Sequence, residues 1–383
     1  MFTLSSTEHV FENRSNASLR WNAFILGLLA NKLIGQFLIK ISILAKKVKI
    51  LYNFPGCLLV NRFYCKSSVD DIQKISTENI HNRILTCVAP LHDRGMNPVN
   101  LVSLLKSDLL DIPGLNYIFL NVDYYIDNRI LKLVSGDGLL NQADKELLQA
   151  FTENLETVCN TALQKGKSII LYTISYSCFP ALQTLAKDLM QRFNTQRVTV
   201  YLLFHLCHVN SPKRVIDFVR NALNQGFTPG IAISKYLTSD YVKKRHAKND
   251  QSESSCHSFN ETKQAFHEVT KYLLNNIDYV SAFMVSHNPD NILYLTSLME
   301  NYQIGQGTEN VIFAQRYGMA KHISFNLANR GYNTALIVPY GTLESALIWM
   351  NKLYQYDPSL PIILIEQRFS ILRELNRRKL ENK

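Results

Sequence analysis

The sequence predicts an α/β fold: a closed, TIM-like (βα)8 barrel with amphipathic helices before it and one helix after it. Three observations predict this. Downstream of residue 80, short β-branched runs alternate with amphipathic segments, the pattern of repeated βα units on a parallel sheet. The runs number eight, which fits a closed barrel better than an open sheet. Helical patterns between them stop at Lys165-Gly166 or Gln225-Gly226, where glycine can take the left-handed cap.

In chain order, the first four expected strands are Arg83–Pro90 (RILTCVAP), Tyr117–Val122 (YIFLNV), Ser168–Thr173 (SIILYT) and Val198–Phe204 (VTVYLLF). The last four are Gly230–Ser234 (GIAIS), Ala282–His287 (AFMVSH), Asn310–Ala314 (NVIFA) and Thr334–Pro339 (TALIVP). Asp144–Gln164 and Val215–Gln225 carry the clearest helical patterns. The barrel is expected to run from about residue 83 to 356. The polar stretch Lys248–Asn260 after the fifth strand reads either as a long βα loop over the barrel mouth or as a surface insertion.

Ahead of the barrel, Trp21–Leu51 is strongly apolar, but Lys32, Lys40, Lys46 and Lys47 interrupt it before a spanning length of about 18 uncharged residues accumulates. Residues 21–62 are therefore read as amphipathic helices suited to a membrane surface. Residues 1–20, rich in Ser and Asn, are expected to be a poorly ordered or targeting segment, although Glu8 and Glu12 do not suit a mitochondrial presequence. The remaining stretch, 63–383, is assigned to the barrel and its trailing helix.

Composition narrows the class further. With 46% hydrophobic and 19% charged residues the chain can fill a core, which excludes disorder, collagen and coiled coil. Lys and Arg exceed Asp and Glu by 41 to 31, but no nucleic-acid motif accompanies that excess, so no nucleic-acid partner is expected. The seven cysteines, Cys57 to Cys256, are odd in number and never spaced Cys-x-x-Cys, which points to free thiols in a reducing compartment.

Barrel chemistry sits at the carboxyl ends of the strands. The sixth run closes in Ser286-His287-Asn288-Pro289, three polar groups that favour a ligand. The fourth closes in His205-Leu206-Cys207-His208, where strand alternation is expected to put the two histidines on opposite faces, so no metal site is assigned.

Several stretches carry a resemblance: Phe313-Ala314-Gln315-Arg316-Tyr317-Gly318-Met319-Ala320, His322-Ile323-Ser324-Phe325, Gly331-Tyr332-Asn333 and Val338-Pro339-Tyr340-Gly341. With Ser286-His287-Asn288, Phe179-Pro180-Ala181-Leu182 and Phe63-Tyr64, the chain resembles the proline dehydrogenases, especially the eukaryotic mitochondrial ones, over roughly residues 60 to 383. The resemblance implies a (βα)8 barrel holding FAD at its strand ends, oxidation of L-proline to pyrroline-5-carboxylate in proline catabolism, electron transfer to membrane quinone, and a mitochondrial location. It implies FAD contacts from Ser286, His287, Asn288, His205 and Lys235.

The family's substrate machinery is altered. Its Arg-Arg-x-x-Glu clamp reads Lys352-Leu353-Tyr354-Gln355-Tyr356, and Trp349 stands for the lid tyrosine. The third strand's Asp-Ala-Glu reads Tyr172-Thr173-Ile174, the second strand's lysine is Asn121, and the tyrosine of the eighth is Ile337. The fifth-strand signature reads Lys235-Tyr236-Leu237-Thr238. Lys352 and Arg316 are the cationic candidates for substrate, and Arg377-Arg378 are read as surface charge on a solvated tail helix. Two functions stay open: a divergent FAD oxidoreductase acting on proline, or a degenerate member, inactive or shifted to another small acid.

Overall fold

A computed structural model describes residues 4, 6–12, 14–47, 59–66, 68–91, 109–235 and 258–381. Among them, eight parallel strands close on themselves: β1 (Leu85–Pro90), β2 (Leu115–Asn121), β3 (Ser168–Tyr172), β4 (Val200–His205), β5 (Gly230–Ser234), β6 (Ser281–Val285), β7 (Val311–Arg316) and β8 (Thr334–Gly341). Strands pair in sequence order, and β8 returns to β1 with Cys87 opposite Ile337. The expected barrel is present, its strands offset by a few residues from the sequence runs. Arg83 lies outside β1 because it takes a positive φ of 57° in the turn before it. The two-residue strand Cys65–Lys66 pairs with Tyr340–Gly341 beyond the end of β7.

Period two sorts the strand residues into two cores. Cys87, Phe119, Ile170, Tyr201, Phe283 and Ile337 point inward and fill the barrel, with the Tyr117 and Phe283 rings 5.1 Å apart. Val88, Ile118, Ile169, Leu171 and Leu202 face outward into the helical shell.

The helices, in order, begin with α1 (Glu8–Phe11), α2 (Asn16–Ala30), α3 (Lys32–Lys47) and α4 (Val69–His81). They continue with α5 (Asn128–Ser135), α6 (Gln142–Gln164), α7 (Phe179–Phe193), α8 (Ser211–Asn224) and α9 (Phe259–Asn275). Last come α10 (Pro289–Asn301), α11 (Lys321–Asn329), α12 (Leu343–Tyr356) and α13 (Leu360–Glu381). Ser258 and Glu261 form a capping box that starts α9. Residues 236–257, most of the expected mouth loop, lie outside the described residues.

A third apolar cluster joins α2 and α3 to α12 and α13 through Leu26, Ile39, Leu353 and Leu364, so the N-terminal helices share a core with the C-terminal ones. Asn31 breaks α2 from α3 at a bend of 97°, its Oδ1 accepting from the Leu33 and Ile34 N–H groups. The Tyr354 hydroxyl donates to the Leu29 carbonyl (2.6 Å) at this bend. Gly35 permits the approach, since a Cβ there would lie 2.3 Å from that hydroxyl. Among the described residues no single helix is long and apolar enough to cross a membrane.

Arg377 and Arg378 are not the solvated charges expected. Both grip Glu374, which is fully buried, and Arg378 also donates to the Phe11 and Arg14 carbonyls. The physical reason is the buried carboxylate, which needs partners, and the Thr7 hydroxyl supplies another. In consequence the described part of residues 1–20 is tied to α13, with Glu8–Phe11 helical.

Candidate functional site

Helix α12 crosses the barrel mouth. It starts just after β8, its Lys352 ammonium lies 5.6 Å from the Tyr124 ring that follows β2, and Asp357 at its end pairs with Arg316 at the carboxyl end of β7 (2.9 Å). A helix of 14 residues spans about 21 Å, enough to reach across the opening. Beneath it the last inward positions of four strands are polar: Asn121, His205 and Ser234 on β2, β4 and β5, and Arg316 on β7.

Over β5 to β7 the polar groups bond to one another. Lys235 donates to Asn291 Oδ1 (3.0 Å), and Asn291 Nδ2 donates to the Ser286 hydroxyl (3.3 Å). Asn288 caps α10 by accepting the Asn291 N–H (3.1 Å). His287 Nε2 accepts the Arg316 backbone N–H (2.7 Å), so the proton of the neutral ring belongs on Nδ1. Burial, with Arg316 close by, pushes His287 down to about 3. Burial and then the neighbouring Lys263 lower Lys235 to about 8, and its ammonium lies 5.1 Å from the Phe266 ring. Gln315, fully buried, donates to the Ser286 carbonyl and accepts from the Ser324 hydroxyl, which explains those two members of the sequence motif. Gly318 in the same motif has a φ of 74°, and a Cβ there would meet the Arg62 carbonyl at 2.3 Å.

Over β2 to β4 the arrangement opens. A cleft of about 240 Å³, counting its open side, is lined by Thr173, Ile174, Tyr176, Phe179, His205, His208 and Ser211. His205 Nε2 lies 3.2 Å from the Thr173 carbonyl, which can only accept, so Nε2 carries the proton and Nδ1 accepts from the Ser234 hydroxyl (2.9 Å). Burial lowers His205 to about 4. His208 lines the same cleft as His205, against the alternation expected for them: β4 ends at His205, a turn follows, and period two no longer applies. The His208 ring packs on Tyr176 with centroids 4.1 Å apart. Among the described residues no three His, Cys, Asp or Glu side chains converge on a metal position. Asn121 is buried, and its Nδ2 has no hydrogen-bond partner among the described residues.

The clamp candidates separate. Lys352 is on the mouth side of α12, whereas Leu353 is buried in the third apolar cluster and Trp349 packs against that same cluster. Arg316 faces the mouth, but Asp357 already neutralises it; Asp357 is held ionised below the ordinary carboxylate range by Arg316 and the Ser359 hydroxyl despite its burial. Three residues were missed in the sequence: Asp357, Asn291 and Asp123, the last accepting from the Thr173 hydroxyl and the Ile174 N–H (2.8 Å) where the family's third-strand acid is lost.

Lys235, the His287 Nδ1–H and Asn121 Nδ2 are all donors, and one is an orphaned buried amide. Donors of this kind fit an acceptor-rich, negatively charged cofactor.

The sequence profile described as proline dehydrogenase matches residues 64–351. Mitochondrial proline dehydrogenase 1 of Dictyostelium discoideum is 20% identical over 67% of this chain and 46% of its own length. That of Bos taurus is 23% identical over 56% and 36%, and hydroxyproline dehydrogenase of Xenopus laevis 19% identical over 75% and 63%. The chain thus spans less than two thirds of each of these relatives. Among solved structures, proline utilization A (PutA) from Bdellovibrio bacteriovorus, inactivated by N-propargylglycine, superimposes with a TM-score of 0.70 at 16% identity, covering 92% of this chain and 40% of that one. That likeness shows the barrel fold.

Proposed function

The chain belongs to the proline dehydrogenase family, and from that membership we propose that it is an FAD-dependent oxidoreductase acting on L-proline or a closely related small amino acid, in mitochondria, with membrane quinone as electron acceptor. The observation that carries the reading is the Ser286-His287-Asn288 segment after β6, kept as in the family, with its groups held in a bonded frame. Lys235, His287 and Asn121 would hold the cofactor's phosphate, ribose and ring acceptors. Bound flavin supplies the hydride-accepting capacity that no side chain has.

The protein's own part is binding, orientation and exclusion of water. Neutral His287 donates from Nδ1, His205 fixes the β3–β4 edge through Thr173, and α12 roofs the opening. Lys352 offers a point charge to a substrate carboxylate, without the bidentate fork of an arginine pair.

A second reading has its own observation. Arg316 is neutralised by Asp357 and no acid stands at the third-strand position, which favours a member with weak or shifted substrate use. The purified protein should show flavin absorption, and His287→Ala should lose most of it; unchanged flavin content in the variant would refute the cradle. Dye reduction with millimolar proline then separates the two readings, the altered clamp predicting about ten- to several-hundred-fold weaker proline binding than an intact pair of arginines gives.

A further inference from the structure

We propose that the N-terminal segment, described at residues 4, 6–12 and 14, is an internal brace: docked on α11 and α13, it keeps the bonded half of the barrel mouth in order and so sets how tightly that half holds its cofactor. The cofactor part rests on the flavin reading above. The buried side chains of the segment reach two different cores. Leu4 enters the helical shell of the barrel, while Val10 and Phe11 enter the cluster shared by α2, α3, α12 and α13. Thr7, itself buried, donates to the fully buried Glu374 on α13 (2.9 Å). The backbone is gripped as well. Asn326 on α11 donates to the Ser6 carbonyl (2.9 Å), and Arg378 on α13 donates to the Phe11 and Arg14 carbonyls (2.7 Å each). A loosely laid terminal arm would leave such carbonyls to water, whereas here side chains of two helices take them.

Helix α11 is the link to the mouth. His322 to Ala328 are all buried, so this nine-residue helix is covered on every side, and α1 supplies part of the cover. Ser324 and Asn326 stand two residues apart and therefore on different sides of the helix. Asn326 holds the segment. Ser324 donates to Gln315 Oε1 (2.7 Å), and Gln315 Nε2 donates to the carbonyl of Ser286 (3.1 Å), the first residue of the polar run after β6. Helix α13 acts on the same element, since Gln367 Oε1 accepts the Lys321 N–H where α11 begins (2.7 Å), two turns before the Glu374 that receives Thr7. Thr7, Glu374, Gln367, Asn326, Ser324, Gln315 and Ser286 are all buried. Water cannot replace a partner at such positions, so release of the segment is passed on to α11 and the mouth rather than absorbed by solvent.

Hydrogen exchange of the flavin-free full chain tests the brace without the cofactor. Thr7→Val with Asn326→Leu keeps the side-chain shapes and removes both anchors. Exchange should rise roughly tenfold at the amides of Ser324 to Ala328 and also at those of Asn291 and Arg316 in the mouth frame. The amides of β3, across the barrel from β7, should not change. Thr7→Val alone leaves Glu374 gripped by both arginines and should give the same pattern at about threefold. Faster exchange confined to the segment and α11 would reduce the segment to a cover, and a uniform rise that includes β3 would reduce it to general stability; either result overturns the proposal. The cofactor arm uses reciprocity. Saturating FAD should slow tryptic cleavage after Arg14 about tenfold, and the double variant should weaken FAD in equilibrium dialysis by a comparable factor. A full chain that takes up no FAD would end the flavin reading and leave the exchange pattern to judge the brace. FAD that binds without slowing the cleavage would overturn the coupling itself.

Discussion

The two halves of the barrel mouth differ in how their polar groups are satisfied. Over β5 to β7, Lys235, Asn291, Ser286, Asn288, His287 and Gln315 bond to one another, and the segment that resembles the family lies here. Over β2 to β4, Thr173 and Ile174, which stand where the family has other residues, line a cleft, and one buried amide, Asn121 Nδ2, has no partner among the described residues. The bonded half is a frame whose members depend on each other, so a change to one strands another. The open half can change residue by residue, because few buried groups there rely on a single partner.

The strongest challenge to that contrast is Asp357→Ala. Asp357 and Arg316 are both largely buried and bonded at 2.9 Å, joining the end of α12 to the bonded half. Removing the acid leaves a guanidinium without its counter-charge, and about 3 kcal/mol of stability should go. Urea unfolding of the two proteins measures it. A loss under about 1 kcal/mol would mean that the mouth relaxes there as easily as in the cleft.

Acid titration probes both halves together. His205 and His287 are lowered to about 4 and about 3, so each stays neutral in the folded chain while the unfolded chain takes up protons below its ordinary value of 6.5. Their contribution is complete above about pH 6.5 and declines as pH falls towards 4 and 3. His205→Gln should remove roughly 2 kcal/mol of the stability lost between pH 6.5 and 5. Unfolding curves at both pH values decide it; an unchanged slope would show that the β4 histidine titrates normally.

A smaller effect is expected at Asn291, whose amide links Lys235 to Ser286. Asn291→Leu keeps the volume and removes both bonds. Flavin affinity should fall about tenfold, read by equilibrium dialysis of the coloured protein. Affinity unchanged would mean that Lys235 and Ser286 hold their places without the bridge.

Asn291 also shows what could be read in advance. The eight strands were legible because β-branched runs sit between glycine and proline stops, and period two then fixed which side chains enter the barrel. Ser286, His287 and His205 were legible as polar groups closing apolar runs. Asn291 and Asp357 were not, because each acts through a partner 56 or 41 positions away, and nothing local marks such a pair. Arg377 and Arg378 were misread for the same reason: their helix looks solvated until the buried Glu374 and the returning N-terminal segment are placed against it. Sequence spacing counts positions along α12 without saying which side faces the mouth, and Leu353 lies on the side buried in the third apolar cluster.

Lys352→Met should disturb the fold least and speaks most directly to the open half. The ammonium lies 5.6 Å from the Tyr124 ring, a contact worth about 0.5 to 1 kcal/mol at a partly exposed site, and Met keeps most of the apolar stem. Stability should therefore fall by less than about 1 kcal/mol. If Lys352 also meets the substrate carboxylate, half-saturation by proline should rise about tenfold, while turnover at saturation holds, because a uniform binding contact is lost without touching the hydride step. Steady-state dye reduction across a proline series gives both numbers. A matching fall in turnover would instead make Lys352 part of how the reacting carbon is placed. No change in either would pass carboxylate recognition to Arg316, and a guanidinium already committed to Asp357 is poorly suited to it.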